Sequence, residues 1–270
     1  MFNRLLMEPP FRVVTRAILK YLPTSVRTKA KWELSSRPSY IMGVVAAVDQ
    51  ARREGVNRIS VIEFGVAGGN GLIELQRISK LVQEETGIDI DVYGFDMGSG
   101  LPNFVGDHKD HPDMWKPGDF VMDVPALQKR LDKFTTLMLG PVKETFKTYL
   151  EKFNFAPVGF VSFDMDLYSS TRDALKLFSD PKLKTLNHVP MYFDDIEFMF
   201  NYKDAGEFRA INEFNEENKD KYCIDKWYGI KEGRPFPERG FLDKMYVFHN
   251  YVQISTISLK RDNVKLELVN

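Results

Sequence analysis

One cysteine, Cys223, in 270 residues excludes an internal disulfide and leaves nothing from which to build a cysteine zinc site. Long apolar runs are missing too. No stretch approaches the roughly 20 residues that cross a bilayer, and Arg4, Glu8, Pro9 and Pro10 stand where a secretory core would lie. A reducing, cytoplasmic setting is the expectation. Nor is there an excess of either charge: 37 basic and 38 acidic residues give a formal net charge of -1, which offers no support for nucleic acid as a partner. Internal repeats and low-complexity linkers are absent as well. What is present is a globular composition, 43% hydrophobic and 28% charged, in a chain long enough to bury a full α/β core.

The charge is nevertheless uneven. Residues 1–40 carry Arg4, Arg12, Arg16, Lys20, Arg27, Lys29, Lys31 and Arg37 against only Glu8 and Glu33. A basic amphipathic segment of this kind can lie on anionic lipid or on an acidic partner. A solvated helix face is the commoner outcome and the preferred reading here, so no membrane contact is expected; contact between copies through these N-terminal helices is left open. Residues 1–56 are expected to form a helical extension or lid, and residues 57–270 the main domain.

Beyond the arm, apolar periodicity alternates between strand and helix. Strands are expected at 58–64, 88–95, 135–139, 158–163 and 189–193, with helices at 40–53, 72–82, 124–134, 142–152, 169–178 and 206–217. Such alternation predicts a doubly wound, mainly parallel sheet with right-handed crossovers. The tail reads differently, as successive strands at 244–251, 254–259 and 264–269 that would add an antiparallel edge. A long glycine- and proline-rich loop, Met97 to Val121, interrupts the alternation, and loops of that length are usually lids or binding loops. It is expected to hold the substrate determinants. Its His108, His111 and Trp115 fit no named motif, and each histidine is read as a surface residue rather than a base.

Two strands end in paired acids: 158–163 runs into Asp164-Met165-Asp166, and 189–193 into Asp194-Asp195. Open α/β sheets bind ligands just beyond the carboxyl ends of their strands. Converging carboxylates are tolerable if they hold a hard divalent ion, share a proton, or are well solvated at a sheet edge.

The strand at 58–64 leads into Glu63-Phe64-Gly65-Val66-Ala67-Gly68-Gly69-Asn70-Gly71 and then a helix, the setting in which a glycine turn brings backbone close to a ligand. The spacing is not the dinucleotide Gly-x-Gly-x-x-Gly, because position 74 is Glu74. It fits acid-x-Gly-x-(Gly/Ala)-x-Gly with Glu63, Gly65, Ala67 and Gly69.

That pattern resembles the first motif of class I S-adenosylmethionine-dependent methyltransferases, with Asp96 of Tyr93-Gly94-Phe95-Asp96 in the place of their ribose-binding acid. Asp164-Met165-Asp166-Leu167-Tyr168-Ser169-Ser170-Thr171, Phe193-Asp194-Asp195 and Phe95-Asp96 with Gly100-Leu101-Pro102 are similar to the macrocin O-methyltransferase family. The likeness covers about residues 59–215. It implies a Rossmann-like methyltransferase fold and methyl transfer from S-adenosylmethionine to a hydroxyl of a sugar or glycosylated small molecule. It further implies cofactor contacts from Glu63, Gly65, Val66, Ala67, Gly69, Asn70, Asp96 and Met97, and Mg2+ or a similar divalent ion on Asp164, Asp194 and Asp195. Asp166 falls at the general-base position, with Asp164 beside it in the catalytic pair. Asn187-His188-Val189-Pro190 departs from the glycine pair that members often carry before the last of these strands.

Two rival readings stand beside this one. A strand running into Asp-x-Asp is also how many metal-dependent glycosyltransferases hold a sugar nucleotide, a reading that leaves the Gly65 turn and Asp96 as coincidence. A non-catalytic binding protein on a methyltransferase fold would have no use for four clustered acids.

Overall fold

Strands with apolar residues on both sides belong in the middle of a sheet, and β1 (Arg58–Phe64) and β4 (Val158–Phe163) are buried along nearly their whole lengths. In the computed structural model, which describes residues 6–152, 155–198 and 200–258, these two are neighbours. With β2 (Asp89–Asp96), β3 (Thr135–Leu139), β5 (His188–Phe193), β6 (Tyr222–Lys226) and β7 (Met245–Asn250) they form a seven-stranded sheet of order β3-β2-β1-β4-β5-β7-β6. The first five are parallel, and β7 runs antiparallel to both β5 and β6. Strand order reverses between β1 and β4, which opens a crevice at their carboxyl ends.

The described helices are α1 (Phe11–Leu19), α2 (Val26–Lys31), α3 (Pro38–Glu54), α4 (Asn70–Thr86), α5 (Val124–Gln128), α6 (Val142–Lys152), α7 (Tyr168–Leu175), α8 (Gly206–Glu217) and α9 (Tyr251–Ile254). The sequence placed β1, β3, α6 and α8 to the residue. Helix α5 is shorter than the expected 124–134, because the Gln76 side chain captures the chain beyond it. Its amide donates to the Arg130 carbonyl at 3.3 Å and accepts from the Asp132 N–H at 2.7 Å.

Over 254–258, the described part of the strand expected at 254–259, no strand is formed. The Asn250 side chain accepts from the Gln253 N–H at 3.1 Å and so starts α9 where a strand would have continued. The antiparallel edge comes instead from β6, which sequence reading passed over because only Ile224 of its five residues is buried. The expected strand at 264–269 lies outside the described residues.

Alternation along the strands separates the two faces. Glu63 meets Tyr40 of α3 on one face, while its neighbour Phe64 meets Phe146 of α6 on the other. On the α6 face a row of rings crosses the sheet, Phe95–Phe64 at 5.1 Å, Phe64–Phe163 at 5.3 Å and Phe163–Phe193 at 4.6 Å. Strand register fixes that row, since Phe64 pairs with Phe95 and with Phe163, and Phe163 with Phe193. The next residue on each strand is therefore also aligned: Gly65, Asp96, Asp164 and Asp194 emerge side by side at one edge. On the opposite face Gly43 lets α3 press against Phe160, whose ring would overlap any Cβ there.

Candidate active site

Above the phenylalanine row lies a cavity of about 340 Å³. Gly65, Ala67, Asp96 and Met97 line one side of it, Asp164, Asp166 and the first turn of α7 another, and Leu101, Pro102, Asn103 and Val105 with Phe120 of the long loop a third. The glycine turn and the acidic strand end, 99 residues apart from Gly65 to Asp164, thus share one space.

Asp96 organises the turn. Its Oδ2 accepts the N–H groups of Val66 at 2.8 Å and Ala67 at 2.9 Å, and its Oδ1 accepts that of Gly98 at 2.6 Å. Gly65 and Gly69 both have φ of 82°, and Ala67 follows at 44°, so the backbone curls with its amides turned inward. Of the expected cofactor residues, Glu63, Val66, Gly69 and Asn70 do not line the cavity. Glu63 lies beneath the turn, where its Oε1 accepts from the Tyr40 hydroxyl at 2.6 Å, and that hydroxyl accepts in turn from Ser162 at 3.0 Å. Burial pushes the Glu63 carboxyl up to about 8, and its Oε2 has no partner. Gly69 caps α4, with Leu127 standing where a Cβ would go.

The acids beyond β4 and β5 form a tight electrostatic group. Burial, then repulsion from Asp194 and Asp195, pushes Asp164 up to about 7. Asp166 is pushed to about 7 by burial and by Asp164 and Asp194, and Asp195 likewise by burial, Asp166 and Asp194. Asp166 also holds φ at 62°, an uncommon conformation for a residue with a Cβ, and its N–H donates to Asp195 Oδ2 at 3.1 Å. The Tyr192 hydroxyl donates to Asp194 at 2.5 Å, and Lys244 stands 3.8 Å from the same carboxylate. Asp194 and Asp195 do not line the cavity. Among the described residues, no group of three or more His, Cys, Asp or Glu side chains is arranged to hold a metal ion.

Sequence reasoning missed four contributors. Glu207, fully buried on α8, accepts the Asp195 N–H at 3.0 Å, and burial followed by the acids Asp195, Asp164 and Asp194 raises it well above the carboxylate range. Arg37 faces Asp164, Glu63 and Asp194, but in sequence it is one more charge of a basic arm. Arg172 and Lys143 line the cavity from α7 and α6. The acid at the second position of α8 was the one visible signal for Glu207.

The long loop is pinned rather than loose. Its base closes through Leu101 N–H to Asp119 O at 2.8 Å and Gly118 N–H to Leu101 O at 2.9 Å. Buried Asp110 accepts the Val105 N–H at 2.8 Å and the Ser169 N–H of α7 at 2.7 Å. His111 packs edge-on to Phe198 and Tyr202, His108 stacks on Tyr202, and neither reaches the cavity.

No family model and no curated protein matches the sequence. Among solved structures the chain is similar to CalS11, calicheamicin methyltransferase, with a TM-score of 0.51 and 17% identity over 90% of this chain and 93% of that one. The fold is the class I methyltransferase fold. The chain also aligns with the O-methyltransferase TomG from Streptomyces achromogenes, solved with SAM, at a TM-score of 0.44 and 15% identity over 88% of this chain and 95% of that one. In this methyltransferase fold the Gly65 turn and Asp164 occupy the crevice where strand order reverses. No helix among the described residues is long and apolar enough to cross a membrane.

Proposed function

We propose that the protein transfers a methyl group from S-adenosylmethionine to a hydroxyl, on a sugar or a glycosylated small molecule. One observation carries this reading: a single cavity is walled by the Gly65–Ala67 turn with Asp96 on one side and by Asp164 and Asp166 on the other. The turn and Asp96 fit the cofactor, because the glycine-rich backbone admits close approach and a carboxylate at the end of β2 suits ribose hydroxyls. Bound there, the cofactor supplies an electrophilic methyl on a sulfonium.

The chain's own share is to orient an acceptor hydroxyl and remove its proton. Asp166 is the base of this proposal: it lines the cavity, and burial with neighbouring acids makes its carboxylate a stronger acceptor than a solvated one. The apolar wall from Leu101, Pro102, Val105 and Phe120 excludes water, while the Arg172–Asp173 ion pair, at 2.8 Å, supplies hydrogen-bonding groups at the acceptor side. Asp164, Asp194 and Asp195 are oxygen donors suited to Mg2+ or a similar divalent ion. As they stand they do not converge on one point.

Calorimetry with S-adenosylmethionine and, separately, with sugar nucleotides tests the reading, followed by labelled-methyl transfer to a panel of glycoside hydroxyls. Binding and transfer from S-adenosylmethionine are expected; binding of a sugar nucleotide alone would favour glycosyl transfer and overturn the proposal.

A further inference from the structure

Helix α1 is amphipathic, and it sits the opposite way from a solvated helix face. Its arginines point inward. Arg12 donates to the Pro235 carbonyl at 2.8 Å and pairs with Glu238 at 2.9 Å, while Arg16 donates to the carbonyls of Trp32 at 3.1 Å and Glu33 at 2.8 Å. Both guanidiniums lie over the Phe236 ring, at 5.1 and 5.8 Å. The apolar side is thereby left outside. Phe11, Val14 and Ile18, spaced as one helical stripe, are 47%, 57% and 55% exposed, and Tyr21 and Leu22 extend the stripe at 89% and 51%. No residue of the helix is buried. A contiguous apolar patch held out to water by an ionic dock marks a contact surface.

Charge selects the partner. Lys20, directly beside the stripe, is exposed, as are Lys31 and Arg27, the latter paired with Asp49 at 2.5 Å, and Glu8 is the only acid among residues 6–32. The whole chain is nearly neutral at -1, so residues 6–32 are basic in sequence against a net acidic remainder. Two copies meeting stripe to stripe would bring two basic margins together. An anionic bilayer accepts both the stripe and its charges.

We propose that α1 docks the protein on an anionic membrane surface. Phe11, Val14, Ile18 and Leu22 enter the boundary between headgroups and acyl chains, Tyr21 sits at headgroup level, and Lys20 with its basic neighbours meets the phosphates. The inference is independent of the methyl-transfer reading, since no cavity residue takes part in it.

Flotation of the full chain with vesicles tests it, using phosphatidylcholine alone and phosphatidylcholine with about 30% phosphatidylglycerol. Co-flotation is expected with the anionic vesicles only, falling several-fold in roughly 0.5 M salt. The V14E/I18E double variant should bind about tenfold more weakly with an unchanged thermal midpoint, because both positions are exposed. Absence of wild-type co-flotation, or unchanged binding by the double variant, overturns the proposal. Sedimentation velocity showing a wild-type dimer that V14E/I18E dissolves would also overturn it, by assigning the stripe to self-association.

Discussion

Gly65 and Asp164 stand back to back across the β1–β4 pair: a Cβ on residue 65 would overlap the backbone carbonyl oxygen of Asp164. The glycine turn and the acidic motif are thus in van der Waals contact through main chain, with φ of 82° at Gly65 making the approach feasible. Gly65→Ala should cost about 2–3 kcal/mol, from a strained φ and an overlap that main chain must yield to. Urea midpoints of the two proteins check this; a loss of cofactor binding should accompany the shift.

Asp96 ties three amides with one carboxylate. Asp96→Ala removes the acceptor of Val66, Ala67 and Gly98 N–H groups, so it should lower S-adenosylmethionine affinity at least about tenfold and stability by about 2 kcal/mol. Calorimetry and thermal melts read the two effects separately. Unchanged affinity would remove Asp96 from the cofactor wall.

Asp166 is assigned the proton. Asp166→Asn should lower kcat by about 10²–10⁴ while leaving the affinity for S-adenosylmethionine within a few-fold of wild type. A variant that keeps full turnover would return the pair to a structural role.

Ionisation of the acidic group should show in stability. Burial and mutual repulsion push Asp164, Asp166 and Asp195 up to about 7 in the folded protein, so the folded state holds protons that the unfolded chain releases near the ordinary carboxylate range. Stability from these groups is complete below about pH 4 and is lost as pH rises through about 7. Urea midpoints in chelator should fall between about pH 5 and about pH 8, and fall less in Asp166→Asn. Turnover should move the other way, rising with pH as the base ionises.

Magnesium dependence is read by activity in chelator and on adding the ion back. Loss and recovery would mean that Asp164, Asp194 and Asp195, which do not converge on one point as they stand, close on a cation in the working enzyme, and Asp164→Ala should then neither respond to the ion nor lose cofactor affinity. Full activity of wild type in chelator would remove the metal from the reaction.

Strand ends were legible because apolar runs stop abruptly at glycine or acid: Phe64-Gly65, Phe95-Asp96, Phe163-Asp164 and Phe193-Asp194 mark the crevice without a structure. Their alignment into one row was not, since register depends on pairing between distant strands. Glu63 looked like a cofactor residue, but alternation sends its side chain toward Tyr40 and away from the cavity. Glu207 and Arg37 arrive from elements that carry no motif, so only tertiary packing shows them beside the acids. Strand β6 was hidden by its polarity, and α9 by Val252 and Ile254, whose β-branched pattern the Asn250 cap overrides. Periodicity revealed that α1 is amphipathic, yet not which side would dock, because Arg12's partners, the Glu238 carboxylate and the Pro235 carbonyl, lie more than 200 residues away.

Asp110 grips both the long loop, at Val105, and the first turn of α7, at Ser169, and both of these residues line the cavity. Loop and helix consequently travel as one jaw. Widening the mouth on that side either breaks two charge-assisted hydrogen bonds together or carries the α7 wall along with the loop. Under the proposed methyl transfer, acceptor admission and the setting of the Asp166 side of the cavity would then be a single motion, and a bulky acceptor that held the jaw apart would also hold Asp166 away from its hydroxyl.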